Sequence, residues 1–202
     1  MKAPVADRQD GEKKMLRIIK QRFEDHQELV AKVMKDEPLM DKLGEAAAMI
    51  RTAIAEGHKV MFCGNGGSAA DCQHLAAEFV GRFQKERQGL PAIALTVDTS
   101  ILTAVANDYG YNHVFARQVE ALGQPGDVLV GISTSGNSKN VIAAIRKAKP
   151  MGIHTVGMTG GMGGKVNEIT DVCLVIPCDV TARVQEVHAL MGHIICEMAD
   201  GK

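Results

Sequence analysis

His74 and Glu78 stand four residues apart in the stretch MFCGNGGSAADCQHLAAEF, Met61 to Phe79, directly behind a glycine-rich turn. On a helix that spacing raises both side chains from one face. An imidazole and a carboxylate placed so can ligate a metal or move protons; a solvent-facing polar pair has the same spacing. A second polar group lies near the C-terminus, where RVQEVHALMGH offers Gln185, Glu186, His188 and His193. On a helix Gln185 and His193 fall about 80° apart, and His188 falls about 140° from His193, so both histidines do not share one small site. Glu186 aligns with His193 better than Gln185 does. Periodicity therefore leaves open which of these residues faces a site.

Two loops sit where a ligand could be cradled. The first matches G-x-G-x-x-[GA] at Gly64, Gly66 and Ala69, after an apolar run and before a helical one, which is the setting of a dinucleotide fingerprint. The acidic residue that such a fingerprint needs about twenty positions on has its nearest strand-end candidate in Asp98, much further along. Dinucleotide chemistry and a tight turn without a ligand both stay open on this loop alone. The second loop, GISTSGNSKN, carries Ser133, Thr134, Ser135 and Ser138 between a strand and a helix. Hydroxyls beside glycines at a helix N-terminus, where free N–H groups and the dipole favour negative charge, suit one phosphate monoester. Four hydroxyls exceed what a helix cap or a turn uses. No lysine occupies the P-loop position, so a nucleoside triphosphate is not expected.

The elements that must hold these loops follow from hydrophobic spacing. Short apolar runs KVMFC, PAIAL, DVLVGIS, HTVGMT and VCLVIP read as buried strands. Helical patterns separate them at Ser68–Phe83, Tyr111–Leu122, Ser138–Lys149 and Ala182–Met198. Such alternation predicts a five-stranded parallel sheet flanked by helices. Two helices precede the sheet. The first places Met15, Ile18, Ile19, Phe23, Leu29, Val30 and Val33 at helical spacing; the second starts near Glu37, with Pro38 in its first turn and Gly57 at its C-terminal cap. The chain reads as a polar arm of residues 1–12 and one α/β domain of residues 13–202 with an N-terminal helical hairpin. The hairpin is too small for a core of its own, and its apolar face calls for another surface, on this subunit or a neighbouring one.

Composition narrows the function classes. A chain of 202 residues with 46% hydrophobic and 23% charged residues is that of a soluble globular domain. A formal net charge of −1 supplies no basic excess for a nucleic-acid backbone. The five cysteines are odd in number and form no C-x-x-C pair, so they read as reduced thiols, neither a disulfide framework nor a zinc finger. Neither a signal-type leader nor a membrane-length apolar run is present in this sequence, and a cytoplasmic location is expected.

The stretches CGNGGSAADCQHLAAEF, ANDYGYN, GDVLVGISTSGNSKNV and RVQEVHALMGH occur in the order seen in the sugar isomerase (SIS) domain family, and most closely resemble its phosphoheptose isomerase branch. The resemblance covers nearly the whole chain from about Met15. It implies an aldose–ketose isomerase of the SIS fold acting on sedoheptulose 7-phosphate, one Zn2+ per subunit and a homotetramer. By the same resemblance, His74, Glu78, Gln185 and His193 ligate the zinc, Glu78 and His193 carry the acid–base work, and Asn65, Gly66, Gly67, Asn107 and Asp108 contact the sugar. The phosphate falls to Ser133, Thr134, Ser135 and Ser138, and His188 is left as a packing histidine or one that supports a ligand from behind. A non-catalytic relative that binds the bacterial replication initiator has a similar pattern but lacks the glutamate and the final histidine, both present here as Glu78 and His193; the enzyme is therefore favoured, and an adaptor that binds the initiator is the alternative reading.

Overall fold

The computed structural model describes residues 5–200. Five parallel strands, β1 (Val60–Gly64), β2 (Ala92–Ala94), β3 (Val128–Ser133), β4 (His154–Gly160) and β5 (Val172–Ile176), form one sheet in the order β2-β1-β3-β4-β5. All four ladders are parallel, with Phe62 opposite Val130 and Gly64 opposite Ile132 where β1 meets β3. The chain reverses its direction across the sheet between β1 and β3. That switch point is where an open α/β sheet has its crevice, beyond the carboxyl ends of the strands.

Among the described residues eight α-helices surround the sheet: α1 (Val5–Met34), α2 (Glu37–Ala55), α3 (Gly67–Val80), α4 (Thr99–Tyr109), α5 (Val114–Leu122), α6 (Lys139–Ala148), α7 (Gly164–Ile169) and α8 (Thr181–Ala199). Alternate strand residues feed two cores, as the pleat requires. Val60, Phe62, Val128 and Val130 pack with α2, α3 and α8, while Met61, Cys63 and Leu129 pack with α4, α5, α6 and α7. A sheet covered on both faces explains why its strands read as continuous apolar runs. All five cysteines are unpaired, as expected.

Most elements fall where spacing places them. Pro38 lies in the first turn of α2, Asp36 caps that helix through Leu39 N at 3.1 Å, and Gly57 follows its end with φ of 85°. Several differences are informative. α1 begins at Val5, so it extends into the segment read as a polar arm. α3 stops at Val80, where Gly81 leaves the helical region at ψ −112°, which frees Phe83 from the helix assigned to it. α4 and α7 were not among the expected helices. α4 fully buries only Val105 among its eleven residues, with Leu102 and Ala106 packed partly buried beside it, and α7 is six residues long behind a glycine pair. Asp98, the misplaced candidate of the dinucleotide fingerprint, is the N-cap of α4 and accepts from Ile101 N at 2.9 Å.

The N-terminal hairpin splits its apolar face. Leu29 and Val33 are buried, yet Met15, Ile18, Ile19 and Phe23 are 63%, 54%, 47% and 74% exposed in the single subunit. Among the described residues no helix is long and apolar enough to cross a membrane.

Candidate active site

α3 leaves the end of β1 through Asn65 and Gly66, and α8 packs beside it in the same direction. Three contacts define that register. A Cβ on Gly67 would lie 2.4 Å from Gln185 Nε2, one on Gly192 would meet Leu75 at 2.6 Å, and His74 Nε2 lies 2.7 Å from His193 Nε2. Glycines at 67 and 192 thus let the two helices approach where they carry the polar side chains. The approach brings together groups 119 residues apart in sequence.

His74, Glu78 and His193 each offer a ligand atom, and these atoms lie within 4.8 Å of one another. His74 Nε2 is 3.6 Å from Glu78 Oε1, and the two imidazoles meet edge to face with centroids 5.0 Å apart. At 2.7 Å the two Nε2 atoms face each other directly across the gap between the helices. Two imidazole nitrogens and a carboxylate converging on one point are a donor set that suits zinc. His74 is about half exposed and Glu78 about a quarter, so the centre is open to a ligand from solvent. Gln185, two turns before His193 on α8, sets its amide against Gly67 at the start of α3.

The structure also settles which residues of α8 are engaged elsewhere. Glu186 pairs with Arg183, and its Oε2 lies 2.8 Å from Nδ1 of His26 on α1, so it is turned toward the hairpin. His188 is buried and its Nε2 meets Thr159 O at 3.1 Å. That bond makes Nε2 the donor, and burial lowers the ring to a pKa of about 4 against the opposing effect of the Thr159 carbonyl. His188 is therefore a neutral packing histidine, as the sequence suggests.

The serine loop follows β3. Ser133 Oγ and Ser138 Oγ are 2.9 Å apart, and Ser138, although at the N-cap of α6, makes no side-chain cap bond. Capping is thus not what its hydroxyl does. Gly136, at φ of 65°, approaches the next loop so closely that a Cβ would lie 1.9 Å from Gly163 O. Asn137 braces the same contact, accepting from Lys165 N at 3.1 Å and donating to Ser135 O at 2.9 Å. Thr134 and Ser135 line a polar cleft of about 390 Å³ with Gly160, Asp179 and Thr181.

At the switch point Asn65 and Asn140 exchange reciprocal amide bonds of 2.9 and 2.8 Å, and Tyr111 donates to Asn65 Oδ1 at 3.3 Å. Asn140 is buried and joins the first loop to the second. Neither Asn140 nor Tyr111 was singled out by sequence reasoning; an asparagine in the first turn of α6 with no capping task was the available signal. Asn107 and Asp108 lie at the exposed end of α4 and bond to each other at 2.8 Å. Phe83, also missed, stacks on His193 with centroids 5.5 Å apart and planes 25° from parallel.

Comparison with known proteins agrees with this architecture. The SIS domain model matches residues 22–160. The phosphoheptose isomerase of Aliarcobacter butzleri is 54% identical over 185 residues, covering 92% of this chain and 96% of that protein. Among solved structures, phosphoheptose isomerases from Neisseria gonorrhoeae and Francisella tularensis superpose with TM-scores of 0.87 and 0.89. They are 43% and 36% identical, each alignment covering 93% of this chain and 100% and 99% of the other. The non-catalytic adaptor reading is not favoured by these matches. With its helices, sheet order and relatives in agreement, the chain belongs to the phosphoheptose isomerase family of SIS-domain proteins and is a sugar-phosphate isomerase.

Proposed function

We propose that this isomerase interconverts sedoheptulose 7-phosphate and D-glycero-D-manno-heptose 7-phosphate, the entry reaction of bacterial ADP- and GDP-heptose synthesis. The observation that carries the reading is the convergence of His74, Glu78 and His193 across α3 and α8, two helices that start at the same end of the sheet as the hydroxyl-rich loop. Ser133, Thr134, Ser135 and Ser138 hold the phosphate, while Asn65, Gly66, Gly67, Asn107 and Asp108 contact the sugar. Binding energy at the phosphate positions C1 and C2 without touching them.

Glu78 takes a proton from C1 and returns it to C2, the two carbons being joined in an enediol between these steps. His193 protonates the C2 oxygen and recovers a proton from O1 as the new aldehyde forms. His74, Glu78, Gln185 and His193 would hold one Zn2+ per subunit, and the ion would supply Lewis-acid polarisation of the substrate oxygens. The enzyme works in the cytoplasm as a homotetramer of the domain of residues 13–202, and the exposed Met15, Ile18, Ile19 and Phe23 supply the apolar face for assembly.

Incubating the purified chain with sedoheptulose 7-phosphate, with and without a chelator, tests the reading. An aldoheptose phosphate is expected, and its formation should stop when the metal is stripped. No conversion by zinc-loaded protein would overturn the assignment.

A further inference from the structure

His193 sits on α8, but helix packing fixes only its backbone; its ring can still turn about two side-chain torsions. The connector from α3 to β2, residues 81–91, supplies one of the two rings that touch that imidazole. Phe83 lies face to face with it at 5.5 Å, and the edge of His74 closes another side at 5.0 Å. Phe83 is itself half-buried against the core on the α8 side of the sheet.

The connector is anchored by one arginine. Arg87 Nε donates to Asp200 Oδ1 at 2.5 Å, its Nη1 reaches Phe79 O at 2.9 Å, Gly81 O at 3.3 Å and Gln88 O at 3.1 Å, and its Nη2 reaches Glu78 O at 3.0 Å. The acceptors belong to the last turn of α3, to the connector and to the residue that closes α8. α3 has no basic residue in its own last turn, so this guanidinium supplies the cation that a helix C-terminus favours. Asp200 is almost wholly buried and also accepts from Gln84 N at 3.2 Å. Burial pushes its carboxyl up, but Arg87 and the connector's N–H groups together hold it below the usual range, so the pair is ionised at neutral pH. A planar fork with five donors can serve these divergent acceptors; a lysine, donating from a single nitrogen, cannot.

We propose that residues 81–91 form a positioning arm for the active site: Phe83 sets the ring of His193, and Arg87 locks the arm to the ends of the two helices that carry the reacting groups. The inference rests on the reading of His193 as a metal ligand and acid. Phe83 and Arg87 are positioning residues, acting through His193 and through the backbone of Glu78.

The test compares Phe83→Leu, Phe83→Tyr, Arg87→Lys and His193→Ala for kcat, KM, thermal midpoint, and affinity of the metal-free protein for Zn2+ alone, measured by chelator competition. Phe83→Leu should lower Zn2+ affinity and kcat by about ten- to a hundredfold, the usual effect of losing a group that orients a metal ligand. KM should hold, since the phosphate is bound by the serine loop. Phe83→Tyr keeps the aromatic face and should match the unsubstituted protein, and Arg87→Lys should lose Zn2+ affinity and kcat together. If Phe83→Leu does not fold, Phe83→Met replaces it with the same expectation. Unchanged Zn2+ affinity and kcat in the leucine or methionine variant, or equal damage in the tyrosine variant, would overturn the arm. His193→Ala with normal turnover and Zn2+ affinity would instead overturn the reading of His193 itself, so the two failures are distinct.

Discussion

Gly67→Ala is a small substitution with a large expected effect. The added Cβ would lie 2.4 Å from Gln185 Nε2 and 3.0 Å from both Cδ and Oε1 of the same amide. Restoring that contact to the ordinary 3.4 Å requires the amide to withdraw by about 1 Å. A misplacement of about 1 Å in a positioned group costs about a hundredfold in rate, so turnover should fall by roughly that factor. The fold should not suffer. Gly67 is exposed, opens α3 and does not hold a left-handed φ, and alanine is the better helix former by up to about 1 kcal/mol. Turnover on the sugar phosphate and thermal midpoint should therefore move apart, activity falling while the midpoint stays level or rises. Because glycine 67 also stands where the sugar is read to pass, the substitution belongs in a cycle with Gln185→Ala. Where the amide is already gone, Gly67→Ala has little left to displace and should cost little more. Fully additive losses would refute the route through Gln185 and point to a direct clash with the sugar; normal turnover in the single variant would refute both.

Glu78→Gln should lower turnover by about a hundred- to ten-thousandfold while sugar-phosphate binding persists, because the amide cannot accept the C1 proton; near-normal turnover would sink the proposed mechanism. Ser135→Ala removes an exposed hydroxyl and should raise KM about tenfold or more, the loss of a hydrogen bond to a charged group being about 1.5–3 kcal/mol. An unchanged KM would contradict the phosphate assignment. His188 is neutral in the fold with a pKa of about 4, against 6.5 when exposed, so the unfolded chain binds the extra proton first. The stabilisation is complete above about pH 6.5 and lost as pH falls toward 4, worth roughly 3 kcal/mol, and His188→Gln should flatten that part of the pH–stability curve. Sedimentation should give a tetramer that Phe23→Glu weakens, since Phe23 is 74% exposed in the single subunit; a stable monomer at working concentration would count against the assembly.

What the sequence determined by itself was local. Apolar runs of strand length, helical spacing between them, Pro38 and Gly57 at the ends of α2, and four hydroxyls behind β3 each depend on neighbours a few residues away, and each stands where it was read. His74 and Glu78 share a face for the same reason, since one helix decides it. Resemblance, not spacing, singled out Gln185 and His193, because periodicity describes how the residues of one helix are arranged about its axis and says nothing about which face meets a partner. Tertiary structure decided that. The packing of α8 beside α3 turns His193 toward His74 and leaves Glu186 to Arg183 and His26, although Glu186 aligns better with His193. α4 was overlooked although Ile101, Leu102, Val105 and Ala106 stand at helical spacing, so its signal was local after all. Asn140 meets Asn65 across 75 residues, and Phe83 meets His193 only because α3 ends at Val80 and its connector folds back along α8. Such contacts depend on the sheet order β2-β1-β3-β4-β5, which sets helices from distant segments side by side, and no local pattern of side chains encodes that adjacency.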